Sequence, residues 1–147
     1  MPIPKPEART GNLPAGVHDA TWNELFAAFA FNERRVELLQ GLREALESLA
    51  RAGCKRVYID GSFVTLKERP GDFDGCWETA GVDPTLLDPE LLDFGEARAA
   101  QKARYGGELF PANAAADPAG RGFLEFFQVD REGRPKGIVA IDPGALR

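Results

Sequence analysis

Histidine occurs once in this chain, at His18, and cysteine twice, at Cys54 and Cys76. A single imidazole excludes a multi-histidine metal site within one chain. A Ser-His-Asp triad would have to recruit His18 from a stretch rich in glycine and proline. Two thiols without CxxC spacing cannot build a disulfide-dense scaffold, so the expectation is two small buried residues in a reduced, cytoplasmic protein. Basic charge is not in excess: 18 Lys and Arg stand against 23 Asp and Glu, a net charge of −5. That argues against a general nucleic-acid coat, which needs surplus positive charge. No apolar run approaches the ~20 residues of a membrane span, and the first residues lack an apolar signal core, so no membrane partner is expected. Internal repeats and a GxxxxGK[ST] phosphate loop are absent as well.

What remains is an ordinary globular balance over 147 residues, 44% hydrophobic and 28% charged. That is enough chain for one domain with a buried core. Prolines at 2, 4, 6 and 14 and glycines at 11 and 16 predict an extended N-terminal arm over residues 1–20, leaving a single domain over 21–147. Thr21 and Glu24 form a T-x-x-E capping box ahead of a short helix. A longer helix is predicted from Glu33 to Ala52, with Leu38, Leu39, Leu42, Leu46, Leu49 and Ala50 on one face and Gly53 as its stop. Strands are predicted at 56–60 and 72–77, with one or two helical turns between them. Short helical pieces follow at 84–92, a helix at 95–105 and a short edge strand at 108–111. The run Phe123 to Val129 reads as the strongest strand, joined by a turn at Asp130–Gly133 to a partner strand at 137–141. The fold class is α+β, a mixed β-sheet flanked by helices.

The chemistry concentrates in Asp60-Gly-Ser-Phe-Val-Thr-Leu-Lys-Glu-Arg-Pro-Gly-Asp-Phe-Asp74. Gly61 lets the backbone approach a phosphate without a Cβ, and Ser62 adds a hydroxyl at a helix start. Asp72 and Asp74, two apart in a strand, point the same way, and two hard oxygen ligands suit Mg²⁺. Glu125, in an apolar run, is the expected third carboxylate, because a buried charge there calls for a partner or a metal.

Gly61-Ser62, a nine-residue gap, Asp72-x-Asp74 and a later hydrophobic-Glu-hydrophobic strand together resemble the nucleotidyltransferase superfamily, the polymerase-β-like fold. The likeness is greatest to minimal members, including those of toxin–antitoxin and phage-defence systems. Lys102-Ala-Arg-Tyr-Gly-Gly and Leu124-Glu-Phe-Phe-Gln add a likeness to a small uncharacterised prokaryotic family of that fold. The resemblance implies a minimal nucleotidyltransferase-like fold and transfer of a nucleotide from an NTP to a hydroxyl on protein, RNA or a small molecule. It also implies two Mg²⁺ ions held by Asp72, Asp74 and Glu125, and nucleotide phosphates contacted by Gly61, Ser62 and Lys67. The chain departs from the minimal pattern in two places. Val64-Thr-Leu-Lys stands where Arg-Gly often follows GSxA, and Gly75 follows the second Asp where a bulky aliphatic is usual. The alternative function is a catalytically inactive binding module on the same scaffold, an antitoxin or regulator with a cognate protein partner held by the arm.

Plainer readings stand beside these. Asp72 and Asp74 following Pro-Gly fit solvated turn residues, Gly61-Ser62 an ordinary strand-to-helix turn, and Glu125 a buried ion pair with an arginine. Lys67, Arg69, Lys102 and Arg104 fit either phosphate contacts or a wet helix face. Asp60 fits a helix cap, and Trp22, Trp77 and Tyr105 fit the core better than base-stacking platforms.

Overall fold

A computed structural model describes residues 3–146, the Ser62 side chain excepted. Thr21 closes the capping box with Glu24 in both directions and starts α1 (Trp22–Phe29). Asn32 caps α2 (Glu33–Arg51), accepting from the Arg35 amide. The apolar repeat of α2 buries Leu38, Leu39, Leu42, Leu46 and Leu49, and Gly53 follows at φ 97° to turn the chain out of the helix. Among the described residues five strands form one mixed sheet: β1 (Gly16–Asp19), β2 (Val57–Asp60), β3 (Phe73–Trp77), β4 (Gly107–Pro111) and β5 (Gly137–Ile141), in the order β1-β5-β2-β3-β4. β2 runs antiparallel to β3 and β5, while β3–β4 and β1–β5 are parallel pairs. Among the described residues no helix is long and apolar enough to cross a membrane.

Alternation along each strand divides the sheet into two faces. Val57, Ile59, Phe73, Trp77, Leu109, Val139 and Ile141 join the main core with α1 and α2. Tyr58, Cys76, Ile138 and Ala140 turn to the second face, which is covered by Ala112 and Phe127 with Phe110, Phe123 and Leu124. Cys54 and Cys76 are buried free thiols, and Trp22, Trp77 and Tyr105 are core residues, as expected.

Two expectations need correction. The extended 1–20 arm is not separate from the domain expected over 21–147. Residues 16–19 are the sheet-edge strand β1, Leu13 is buried in the core, and Leu13 O accepts from the Gly137 amide. The run 123–129 is not a strand. Phe123–Phe126 is a single helical turn, α4, continued by Phe127 in α-conformation. Both edges of β5 are already taken, by β1 and β2, so no place beside it is left for a strand. A helical turn instead sets Phe123, Leu124 and Phe127 on the sheet and leaves Glu125 and Phe126 outward. Tertiary packing overrides the local β-preference of that aromatic run.

α3 (Gly95–Tyr105) opens with a left-handed turn, Glu96, Ala97 and Arg98 lying at φ 51°, 56° and 62°. Each such residue costs about 1 kcal/mol or more. Further along, the Gln101 side-chain amide both donates to Leu109 O (3.2 Å) and accepts from Leu109 N (2.9 Å), standing in for a sixth strand on the outer edge of β4.

Candidate metal centre

Strand register assembles the site. Asp60 at the end of β2 is the direct partner of Asp74 in β3, and Asp74 is the direct partner of Glu108 in β4. Directly opposed residues share a face, so three carboxylates form a row across three strands on the second face. Asp72, two positions before Asp74, joins the same side. Carboxylate oxygens of Asp72, Asp74 and Glu108 all lie within 4.8 Å of one another, and each of the three is half-buried.

Like charges this close oppose one another. Burial first, then the charges of Asp72, Glu108 and Asp60 and a hydrogen bond with Glu108, push the Asp74 carboxyl up to about 8. Asp72 is also raised, by burial and then by Glu108. Asp60 is raised by burial against the opposing pull of Lys136, whose Nζ stands 3.0 Å from Asp60 Oδ1. Glu108 pairs with Arg98 at 2.7 Å and with Lys102 at 3.8 Å.

The expected third acid is therefore displaced. Glu125 is exposed on α4 and is not a member of the cluster; Glu108 is. Sequence reasoning missed Glu108 because the apolar surroundings of Glu125 are longer. The available signal was an acid opening the short edge strand Gly107-Glu-Leu-Phe-Pro111, one helix after D-x-D. Asp60 does not cap a helix; it is the buried partner of Lys136. Lys102 reaches Glu108, whereas Arg104 turns away to Asp88 and Glu90.

Gly61 sits at φ 84°, ψ −170°, backbone open essentially to glycine alone. A Cβ there would stand 2.7 Å from Asp74 Oδ2, so the bend lies directly against the acids. Beyond it Ser62–Val64 is one 3₁₀ turn rather than a helix, and the Ser62 side chain lies outside the described residues. Gly75, the departure from the minimal pattern, has a packing cause. A Cβ at this position would meet Tyr58 O at 2.3 Å and Leu109 Cδ2 at 2.9 Å. Gly75→Ala is expected to cost about 1–3 kcal/mol in chemical denaturation, and an unchanged midpoint would contradict this packing account.

The loop between Gly61 and Asp72 is held from beneath by the start of α2. The Arg35 guanidinium, fully buried, donates to the carbonyls of Phe29 (3.2 Å), Phe63 (2.6 Å), Thr65 (2.8 Å) and Lys67 (3.0 Å). Burial lowers it to about 10, still well above neutral pH. Asn32 donates to Glu68 O, and Arg34 to Pro70 O and Gly71 O. Nothing in the sequence reading singled out these three residues. Above the loop opens a cavity of about 890 Å³. Asp60, Gly61, Asp72 and Asp74 line it, with Lys67, Arg121, Arg131 and Lys136 supplying positive charge on its walls and Thr10–Asn12 closing a side. Arg69 is exposed and does not line it.

The donor set fits a hard divalent cation. Carboxylate oxygens are what Mg²⁺ takes from protein, one or two at a time, completing its shell with water and substrate phosphate. Asp74 is the group whose proton such an ion would displace. Residues 4–142 match the Family of unknown function (DUF6932), and the chain belongs to that family. Comparison with curated proteins and with solved structures gives no match.

Proposed function

We propose that this DUF6932 member is a Mg²⁺-dependent nucleotidyltransferase of minimal, polymerase-β-like type, passing a nucleotide from an NTP to a hydroxyl on protein, RNA or a small molecule. One observation carries the reading: Asp72 and Asp74 line a cavity with basic walls beside the Gly61 bend, and Glu108 stands behind them with its carboxylate within 4.8 Å of theirs. The spacing from Gly61-Ser62 to Asp72-x-Asp74 supports it, and so does a mixed sheet in which the bend and the D-x-D lie on adjacent antiparallel strands. Mg²⁺, when bound by Asp72, Asp74 and Glu108, would supply charge neutralisation at the reacting phosphate and the departing pyrophosphate.

The chain's own residues do the rest. Gly61 carries no Cβ, so the bend packs directly against the Asp74 carboxylate and brings its backbone beside the place where a metal-bound phosphate would lie. Lys67, Arg131 and Lys136 place positive charge where a polyphosphate would run. The buried Asp60 holds the Lys136 ammonium at the cavity wall. Asn32, Arg34 and Arg35 fix the loop that carries Lys67, so that the phosphates meet a preset surface and little ordering is left to binding.

Calorimetry with NTPs, with and without Mg²⁺, and labelled-NTP transfer in a partner-containing lysate test the reading. Metal-dependent binding and transfer are expected, both lost in the Asp72→Ala/Asp74→Ala variant. Transfer persisting in that variant overturns the assignment. One observation favours the inactive binding module instead: Glu108 already pairs with Arg98 and Lys102. No binding at millimolar nucleotide by the folded protein would decide for it.

A further inference from the structure

The cavity has an aromatic wall that the phosphate and metal chemistry does not use. Phe126, on α4, is 36% exposed although it is a large apolar side chain beside the acids. Its orientation is set by neighbours. Its ring meets Phe127 edge-on at 5.8 Å and Phe123 at 6.4 Å. The Arg121 guanidinium stands over it, 5.5 Å from the ring centroid. Arg121 is itself fixed by Asp117, Nε to Oδ2 at 2.6 Å, so the stack holds without a ligand. The result is an apolar and cationic surface in the same cavity as Asp72 and Asp74. Such a surface suits a planar ring with a π-face, and a nucleobase is the planar group that arrives joined to phosphates. The volume, about 890 Å³, falls in the small-molecule range of ~300–1,000 Å³ and suits one nucleotide better than a strand.

We infer that Phe126 and Arg121 form the seat of the NTP base: the base stacks on this surface while the phosphates extend past Lys136 to Asp72 and Asp74. This rests on the nucleotidyltransferase reading. Stacking is indifferent to which base is present, because every base offers a π-face, so the seat gives affinity for nucleotides with little choice among them.

Calorimetry separates the base from the phosphates. With Mg²⁺ present, ATP is compared with inorganic tripolyphosphate on the wild-type chain, on Phe126→Ala and on Phe126→Leu. The leucine variant keeps apolar bulk and removes the π-face, and circular dichroism checks that each variant is folded. Wild type is expected to bind ATP more tightly than tripolyphosphate. Both variants should lose about 10- to 100-fold in ATP affinity and leave tripolyphosphate unchanged. Unchanged ATP affinity in the folded variants, with binding still abolished by Asp72→Ala/Asp74→Ala, overturns the base seat and leaves the enzymatic reading standing. Unchanged ATP affinity with weakened binding of a six-nucleotide single-stranded RNA assigns the ring to an acceptor and overturns the seat as stated. Binding of neither ATP nor tripolyphosphate overturns both.

Discussion

Asp74→Asn is expected to lower nucleotide transfer at least ~10³-fold while making the metal-free protein more stable. The two effects share one cause. Asp74 faces Asp72, Glu108 and Asp60, and its carboxyl stays protonated up to about 8. In the unfolded chain the same group ionises near 3.8. Between those values the folded chain binds more protons than the unfolded one, so metal-free stability falls as pH rises from about 4 to about 8. Asparagine keeps the shape, carries no charge and offers Nδ2 to the Glu108 carboxylate. The expected gain at pH 8 is of order 1–3 kcal/mol, about 5 °C in Tm, shrinking towards zero near pH 4. Mg²⁺ should reproduce much of the gain in wild type at pH 8 and none of it in the variant, because a cation occupies the place of the proton. The ~10³-fold loss in transfer corresponds to about 4 kcal/mol of transition-state stabilisation, a reasonable share for one carboxylate of a metal site. Thermal melts across pH 4–9 with chelator and with Mg²⁺ check the first part, and the transfer assay checks the second. A variant less stable than wild type at pH 8 would mean that the acids are not in repulsion.

Arg35→Met carries the second large effect, and its direction is the opposite. Methionine fills much of the same space but leaves the carbonyls of Phe63, Thr65 and Lys67 without the guanidinium that they share. The Phe29 and Phe63 carbonyls are bonded in the interior and cost ~1–3 kcal/mol each when orphaned, while those of Thr65 and Lys67 lie nearer water and cost less, so about 3–5 kcal/mol is expected in urea denaturation. Arg35→Lys should recover less than half, since an ammonium is a point donor and cannot span the spread of acceptors that the planar fork reaches. Because the clamped loop presents Lys67, nucleotide affinity should fall even under conditions where the variant is fully folded. A loss below about 1 kcal/mol for Arg35→Met would show that the loop does not depend on the clamp.

Those two positions also mark where the sequence is readable and where it is not. α2, the Thr21 capping box, β2, β3, β5 and the 95–105 helix follow from local periodicity, caps and β-branched runs, all legible within a window of a few residues. The pairing of Asp72 with Asp74 is local in the same sense, a consequence of strand alternation. Glu108 is not local. Its place beside Asp74 depends on β4 joining β3 in parallel after a helical crossover, and only the register reveals it. Residues 123–129 misled because aromatic content indicates a strand wherever an edge is free, and here both edges beside β5 are occupied. Residues 16–19 misled in the other direction, since a Gly/Pro-rich neighbourhood says nothing about an unpaired edge of β5, which begins 86 residues after α2 ends at Arg51. Arg35 resembles any charged residue near a helix start until the loop folds down over it.

The sealed rim of β4 bears on how a large acceptor could approach. The Gln101 amide occupies both hydrogen-bonding groups of Leu109, and Pro111 has no N–H to give. An extended peptide therefore cannot zip onto the border nearest Glu108 and slide its hydroxyl sideways into the acids. On the proposed reading the remaining approach is through the cavity itself, lined by Thr10–Asn12 and by Phe126 and Phe127, and a macromolecular acceptor reaching Asp72 and Asp74 that way would have to offer a protruding tip, such as a chain end or a loop apex.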